Sequence, residues 1–178
     1  MLTMDSSNYD FMFKILITGE NEVGKTELLS RFCGEEKNSQ GPFTINKNFD
    51  TTQLKIEGHE LKLQLWDPPN QERYRSLVVP YYRGTLGVFL VYDMTQGESF
   101  IKLRHWIQQA RENCPDQCVI SILANRSELH ERRQVSREEG EMLAQQIGAR
   151  YFEVSAQEGT NVMLALQEMA TDILEALQ

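Results

Sequence analysis

The stretch GENEVGKT, Gly19 to Thr26, sets two glycines five residues apart and follows the second with a lysine and a hydroxyl, the pattern G-x-x-x-x-G-K-[ST]. Those residue types at that spacing suit a polyphosphate. Glycine lets the backbone turn so that several N–H groups face one anion, and a helix that starts there adds its partial positive charge. Lys25 supplies a point charge for β and γ phosphates, and the Thr26 hydroxyl is a ligand for Mg²⁺. Gly19, Asn21, Glu22, Val23, Gly24, Lys25, Thr26 and Glu27 are the candidate contacts. Glu22 fits least well, because a carboxylate in mid-loop repels phosphate unless it points to solvent.

A second stretch, LQLWDPPNQERYRS, runs from Leu63 to Ser76. An alternating apolar pattern ends in Asp67, a carboxylate at a strand tip. Pro68 and Pro69 then fix φ at two neighbouring positions and remove two backbone donors. One reading is a rigid surface turn; the other is a damaged switch.

These residues need elements to hold them. FMFKILIT, Phe11 to Thr18, is a short apolar run that stops at Gly19, as a buried strand does. KTELLSRFCG has apolar residues at helical spacing and closes on Gly34. The phosphate pattern therefore lies between a strand and a helix, the context that gives it weight. Residues 35–48, with Gly41-Pro42, read as a long loop. FDTTQLKI and ELKLQLW alternate around Glu57-Gly58-His59, a hairpin signature. LGVFLVYD, CVISILAN and RYFEVSA are further strands. SFIKLRHWIQQARENC, SREEGEMLAQQIG and TNVMLALQEMATDILEAL are amphipathic helices, the second with Ser136 as a cap three residues before Glu139. Strands alternating with helices imply a largely parallel sheet covered on both faces, with the hairpin adding one antiparallel edge. Residues 1–10 read as a flexible N-terminus and residues 11–178 as one domain.

The composition bounds the function. At 178 residues the chain has the length for one domain with a real core. A net charge of -8 argues against non-specific nucleic-acid binding, which needs a basic face. No apolar run approaches the roughly 18 residues of a membrane span, and the first residues lack the pattern of a secretory signal. The three cysteines, Cys33, Cys114 and Cys118, read as reduced thiols of a cytosolic protein.

A phosphate loop alone leaves an ATPase, a small-molecule kinase and a GTPase open. WDPPNQERYRS, YYRG (Tyr81 to Gly84), VYDMT (Val91 to Thr95), SAQ (Ser155 to Gln157) and KLQLWD together resemble the Rab branch of the Ras superfamily, over about Lys14 to Leu177 and without insertions. The resemblance implies an α/β P-loop NTPase of the Ras-like G-domain type: a six-stranded mixed, mostly parallel sheet, about five helices, and GTP or GDP with Mg²⁺ at the carboxyl ends of the strands. It implies that Thr26, Thr44 and Asp67 hold the metal, Asp67 through water, and that Gln71 orients attacking water. Where the family usually reads Asp-Thr-Ala-Gly-Gln-Glu, this chain has Pro68, Pro69 and Asn70 between Asp67 and Gln71. Asn70 keeps an N–H for the γ-phosphate but has less backbone freedom than glycine, and Pro69 restrains Pro68. Poor switching and slow hydrolysis are expected.

The base side departs as well. The family's Asn-Lys-x-Asp box reads Asn125-Arg126-Ser127-Glu128 here. Glu128 keeps the charge but is one methylene longer, and Arg126 is not an equivalent of lysine. In SAQ, Ala156 can offer its N–H to the base oxygen, and Gln157 replaces the usual lysine. Lys37 stands where an aromatic often stacks on guanine. Losing one stacking contact, roughly 1–3 kcal/mol, and one charged hydrogen bond, roughly 1.5–3 kcal/mol, weakens binding by about 10²–10⁴-fold. Bound nucleotide with lowered affinity is expected.

Phe49, Trp66 and Tyr81 match the three aromatics with which Rabs meet effectors; exposed aromatic anchors are what partner interfaces use. The resemblance implies effector and regulator proteins as partners and peripheral work on endomembranes. Rabs carry a lipidated tail, and the chain stops at Gln178 where its last helix should end, so membrane attachment is expected only if a tail or neighbouring domain follows. Two readings stay open: a Rab-like guanine-nucleotide-binding regulator of vesicle traffic with slow hydrolysis, and a non-catalytic pseudo-GTPase that recruits partners through its aromatic surface. A kinase or ATPase is a third, resting on the altered base box.

Overall fold

The computed structural model describes residues 8–34, 49–68 and 75–178. Among them, six strands and six helices alternate: β1 (Phe11–Gly19), α1 (Lys25–Phe32), β2 (Phe49–Ile56), β3 (His59–Trp66), α2 (Arg75–Tyr82), β4 (Gly87–Asp93), α3 (Gly97–Ile101), α4 (Leu103–Asn113), β5 (Val119–Asn125), α5 (Arg137–Ile147), β6 (Arg150–Glu153) and α6 (Val162–Ala176), with a 3₁₀ turn at Ser127–Arg132. The sheet order is β2-β3-β1-β4-β5-β6. Only β2 runs antiparallel, paired to β3 from Phe49↔Trp66 to Ile56↔His59. Glu57 (φ 51°) and Gly58 (φ 85°) both turn left-handed, the two-residue hairpin turn whose twist matches its strands.

Period-two alternation divides the apolar residues between two cores. Phe13, Ile15 and Ile17 of β1 pack with Leu28 and Phe32 of α1 and with Leu166, Met169 and Ile173 of α6. On the other face lie Leu16, Val88, Leu90 and Tyr92, covered by Leu103 and Ile107 of α4 and Leu143 and Ala144 of α5. Gly140 of α5 lies so close to the sheet that a Cβ would sit 2.4 Å from the Tyr151 ring and 2.6 Å from the Tyr92 hydroxyl.

The helix expected over residues 99–114 is two, α3 and α4, meeting at Lys102 (φ -71°, ψ -13°); hence six helices where the sequence suggested about five. The Ser136–Glu139 capping box forms in full. Asn161 caps α6 with φ 59° and donates its side-chain N–H to the Glu153 carbonyl at 2.9 Å. The topology gathers Gly19, Asp67, Asn125 and the 155–157 loop at one edge, the carboxyl ends of the parallel strands.

Candidate nucleotide-binding site

The phosphate side grows directly out of β1. Gly19 (φ 144°) passes the Val91 carbonyl so closely that a Cβ would sit 2.2 Å from its oxygen. Gly24 (φ 95°) begins α1 with no room for a side chain either, since a Cβ there would meet Asn125 Nδ2 at 2.3 Å. Between them, Glu22 adopts φ 63°, a conformation disfavoured for a side-chain-bearing residue. Its side chain is exposed, which satisfies the condition set for a carboxylate in this loop. Val23 is buried in the core and offers only backbone.

Lys25 is 8% exposed. Its ammonium donates to the Gly19 carbonyl at 3.1 Å and to the Glu20 carbonyl. Burial lowers its pKa, opposed by the charges of Asp67, Glu20 and Glu27. Thr26 Oγ1 donates to Asp67 Oδ2 at 3.0 Å. Burial raises the Asp67 carboxyl, while the Thr26 hydrogen bond and Lys25 pull it back. Lys25, Thr26, Asp67 and Pro68 line a cavity of about 330 Å³, whose rim includes Asn21 and Glu27. A hydroxyl and a carboxylate are the hard oxygen donors Mg²⁺ takes, and the Lys25 ammonium suits phosphate.

The base side is a smaller recess of about 140 Å³ that Gly24, Glu27, Asn125, Arg126, Glu128, Ala156 and Gln157 line. Asn125, 1% exposed, rivets the two sides together: Nδ2 donates to the Val23 carbonyl at 2.8 Å, and Oδ1 accepts from the Ala156 N–H at 3.1 Å. Arg126 (φ 66°) ion-pairs with fully buried Asp93 and donates to the Glu22 carbonyl at 2.9 Å. Its guanidinium thus holds the strained Glu22 peptide. Glu128 Oε2 is buried and has no hydrogen-bond partner among the described residues. Ser155 builds the loop rather than facing the recess, accepting the Glu158 N–H at 3.0 Å.

Several expected residues, Lys37, Thr44, Pro69, Asn70 and Gln71, lie outside the described residues. Besides the Arg126–Asp93 ion pair, the contacts of Arg31 and Trp106 escaped the sequence reading. Arg31 of α1 donates from Nε to the Ala156 carbonyl at 2.8 Å and from Nη2 to the Gln157 carbonyl at 2.6 Å, clamping the base loop to the helix of the phosphate loop. Trp106 of α4 donates to Glu20 Oε1 at 3.0 Å. The only signal for Arg31 was a cation in the last turn of α1, which reads equally as a partner for the helix dipole.

Next to the site, half-buried Phe49, Trp66 and Tyr81 form one ring cluster. Phe49 and Trp66 have centroids 4.6 Å apart, and Tyr81 meets Trp66 edge-on at 5.9 Å. Lys14 Nζ lies 4.8 Å above the Trp66 ring. No described helix is long and apolar enough to cross a membrane.

A G-x-x-x-x-G-K-T loop between the first strand and first helix of this six-stranded sheet places the chain in the P-loop class, in its G-domain form. The sequence model of the Ras family matches residues 14–175. A protein named Ras-related protein Rab-8B from Pongo abelii is 39% identical over 172 residues, 97% of this chain and 83% of that one. The Homo sapiens protein of that name is 38% identical over the same shares, and Ras-related protein RABA2d of Arabidopsis thaliana is 39% identical over 166 residues, 93% of this chain and 76% of its own. The chain belongs to the Rab family of the Ras superfamily of small GTPases.

Proposed function

We propose that this chain binds a guanine nucleotide with Mg²⁺, grips the base weakly, hydrolyses GTP slowly and recruits partner proteins as a regulator of vesicle traffic. The observation that carries the reading is Glu128 Oε2, a buried acceptor with no donor among the described residues, at the recess beside Asn125 and Ala156. A buried unpaired carboxylate oxygen is costly, and a base that presents two N–H groups on one edge relieves that cost. Guanine does this and adenine does not.

In this reading Lys25 and the backbone N–H groups of Asn21 to Thr26 bind the phosphates. Thr26, Thr44 and Asp67 would hold Mg²⁺, Asp67 through water. Bound Mg²⁺ would neutralise charge on the phosphate oxygens. Gln71 orients water, and Asn70 supplies the N–H toward the γ-phosphate. Glu128 bonds the base, with Arg126 and Gln157 standing in for the family's lysines. Phe49, Trp66 and Tyr81 receive effectors.

One observation favours the second reading, a pseudo-GTPase interaction module: the Ala156 N–H that would serve the base oxygen is engaged with Asn125 Oδ1 at 3.1 Å. Nucleotide content of the purified protein by chromatography, followed by calorimetric titration with GDP and Mg²⁺, separates the readings. Near one-to-one GDP or GTP is expected. No nucleotide and no heat of binding would establish the interaction module, and adenine nucleotide would overturn both. Slow hydrolysis is tested by replacing Pro68-Pro69-Asn70 with Thr-Ala-Gly. Misplacement of the attacking water by about 1 Å costs on the order of 10²-fold, so the single-turnover rate should rise and Gln71→Leu should then abolish the gain. Equal rates with and without the prolines would mean that they do not obstruct chemistry.

A further inference from the structure

At the opposite end of the sheet, the turn from α4 to β5 carries two thiols. Cys114 caps α4 in an extended conformation (φ -86°, ψ 157°). The Cys118 N–H donates to the Pro115 carbonyl at 3.0 Å, so the chain doubles back in a tight turn between the two cysteines, and the Cys118 thiol donates to the Val119 carbonyl at 3.8 Å. Both residues are half-buried, and both form part of the wall of a cavity of about 510 Å³ together with Ala110, Arg111, Val119 and Ile147. That space exceeds the phosphate cavity of about 330 Å³ and touches none of its residues. The thiols differ in character. The neighbouring Cys118 thiol lowers the Cys114 pKa, burial opposes it, and the Lys14 ammonium adds to the lowering. Cys118 is raised by the neighbouring Cys114 and by burial. One sulfur is thus disposed to act as nucleophile and the other is held as a thiol beside it.

We propose that Cys114 and Cys118 are a redox-active dithiol, which a hydroperoxide entering this cavity closes to an intramolecular disulfide. The Cys114 thiolate attacks one peroxide oxygen and the O–O bond breaks; the leaving oxygen takes a proton and departs as water or an alcohol. Cys114 is then a sulfenic acid. The Cys118 sulfur attacks the Cys114 sulfur, the S–O bond breaks, and the released hydroxide leaves as water with the Cys118 proton. Two thiols are oxidised by two electrons and one peroxide is reduced. The short loop between the cysteines constrains the unfolded chain little, so cellular thiols should reverse the bond readily. Such transient disulfides are the kind found in reducing compartments. Cys33 serves as an internal reference, because it packs against the core on the other face of the sheet.

The test exposes the folded protein to hydrogen peroxide, blocks remaining thiols and maps tryptic peptides by mass. Peptide 112–126 holds both cysteines and no internal cleavage site. It should lose two hydrogens while Cys33 stays alkylated, and dithiothreitol should restore it. Cys118→Ser should stop at a sulfenic acid on Cys114 that dimedone traps, and Cys114→Ser should slow peroxide consumption at least about tenfold. Oxidation of Cys33 first, disulfide-linked dimers, or over-oxidised Cys114 with Cys118 still alkylated would overturn the proposal. The wild-type peptide map decides the matter even if a serine variant fails to fold.

Discussion

The phosphate side and the base side of the site sit on one sheet edge and are built on different principles. In the proposed function, phosphate recognition would rest on backbone shape, the left-handed Gly24 and the close passage of Gly19, with Lys25, Thr26 and Asp67 as its side chains. Base recognition would rest on side chains, and there this chain departs from the family pattern at Arg126, Glu128 and Gln157 while keeping the Asn125 rivet. The contrast teaches where substitution is tolerated. In the backbone cradle, Arg126 anchors the left-handed Glu22 peptide from across the site. A side-chain fork changes its reach with a single methylene.

The largest effect should come from the phosphate side. Lys25→Ala removes the buried ammonium that faces the cavity, a group whose charged hydrogen bonds are worth roughly 1.5–3 kcal/mol each. GDP affinity with Mg²⁺ should fall at least about 100-fold by titration calorimetry, with the circular dichroism of the fold retained. Undiminished affinity would place the nucleotide elsewhere.

On the base side a gain is expected. Glu128→Asp restores the shorter fork, so GTP affinity should rise by about tenfold, one charged hydrogen bond's worth, and the GTP-to-ATP ratio should widen. Competition binding with both nucleotides reads this directly. An unchanged ratio would mean that Glu128 does not meet the base.

Much of this was legible in the amino-acid order because it is local. The Glu57-Gly58 hairpin, the Ser136–Glu139 box and the strand–glycine–helix context of the phosphate loop are set by residues within a few positions of each other. What escaped is long-range. The break at Lys102 has no proline or glycine to announce it. The Arg126–Asp93 ion pair and the Trp106–Glu20 hydrogen bond join distant elements, and the Arg31 clamp spans 125 residues of sequence. No spacing rule reaches that far.

Arg31 makes the comparison testable from its hinge, since it ties the base loop to the helix that the phosphate loop opens. Arg31→Ala should lower GDP affinity by about 5-fold, the effect of one net hydrogen bond on loop order. Affinity for inorganic pyrophosphate, which uses the phosphate side alone, should be unchanged. Equal losses for both ligands would show that the clamp supports the whole site rather than the base loop.

The smallest effect lies just upstream of the base loop, at the end of β6. Glu153 accepts two hydrogen bonds from Arg133, at 2.7 and 2.9 Å, and one from the Tyr151 hydroxyl at 2.9 Å. The Arg133 hydrogen bonds hold its carboxyl below the usual range, Tyr151 helps, and burial opposes. A carboxylate whose pKa is lower folded than unfolded contributes stability above the unfolded value, roughly pH 4.3. That contribution is lost as pH falls through the folded value. Glu153→Gln should therefore destabilise the protein at pH 7 by about 1 kcal/mol, a charged hydrogen-bond pair discounted for partial solvent access. The gap to wild type should close on acidification below about pH 4. Urea unfolding at several pH values measures it. A gap that stays constant with pH would mean that packing, not charge, holds β6 in place, and that the base loop hangs from an apolar anchor.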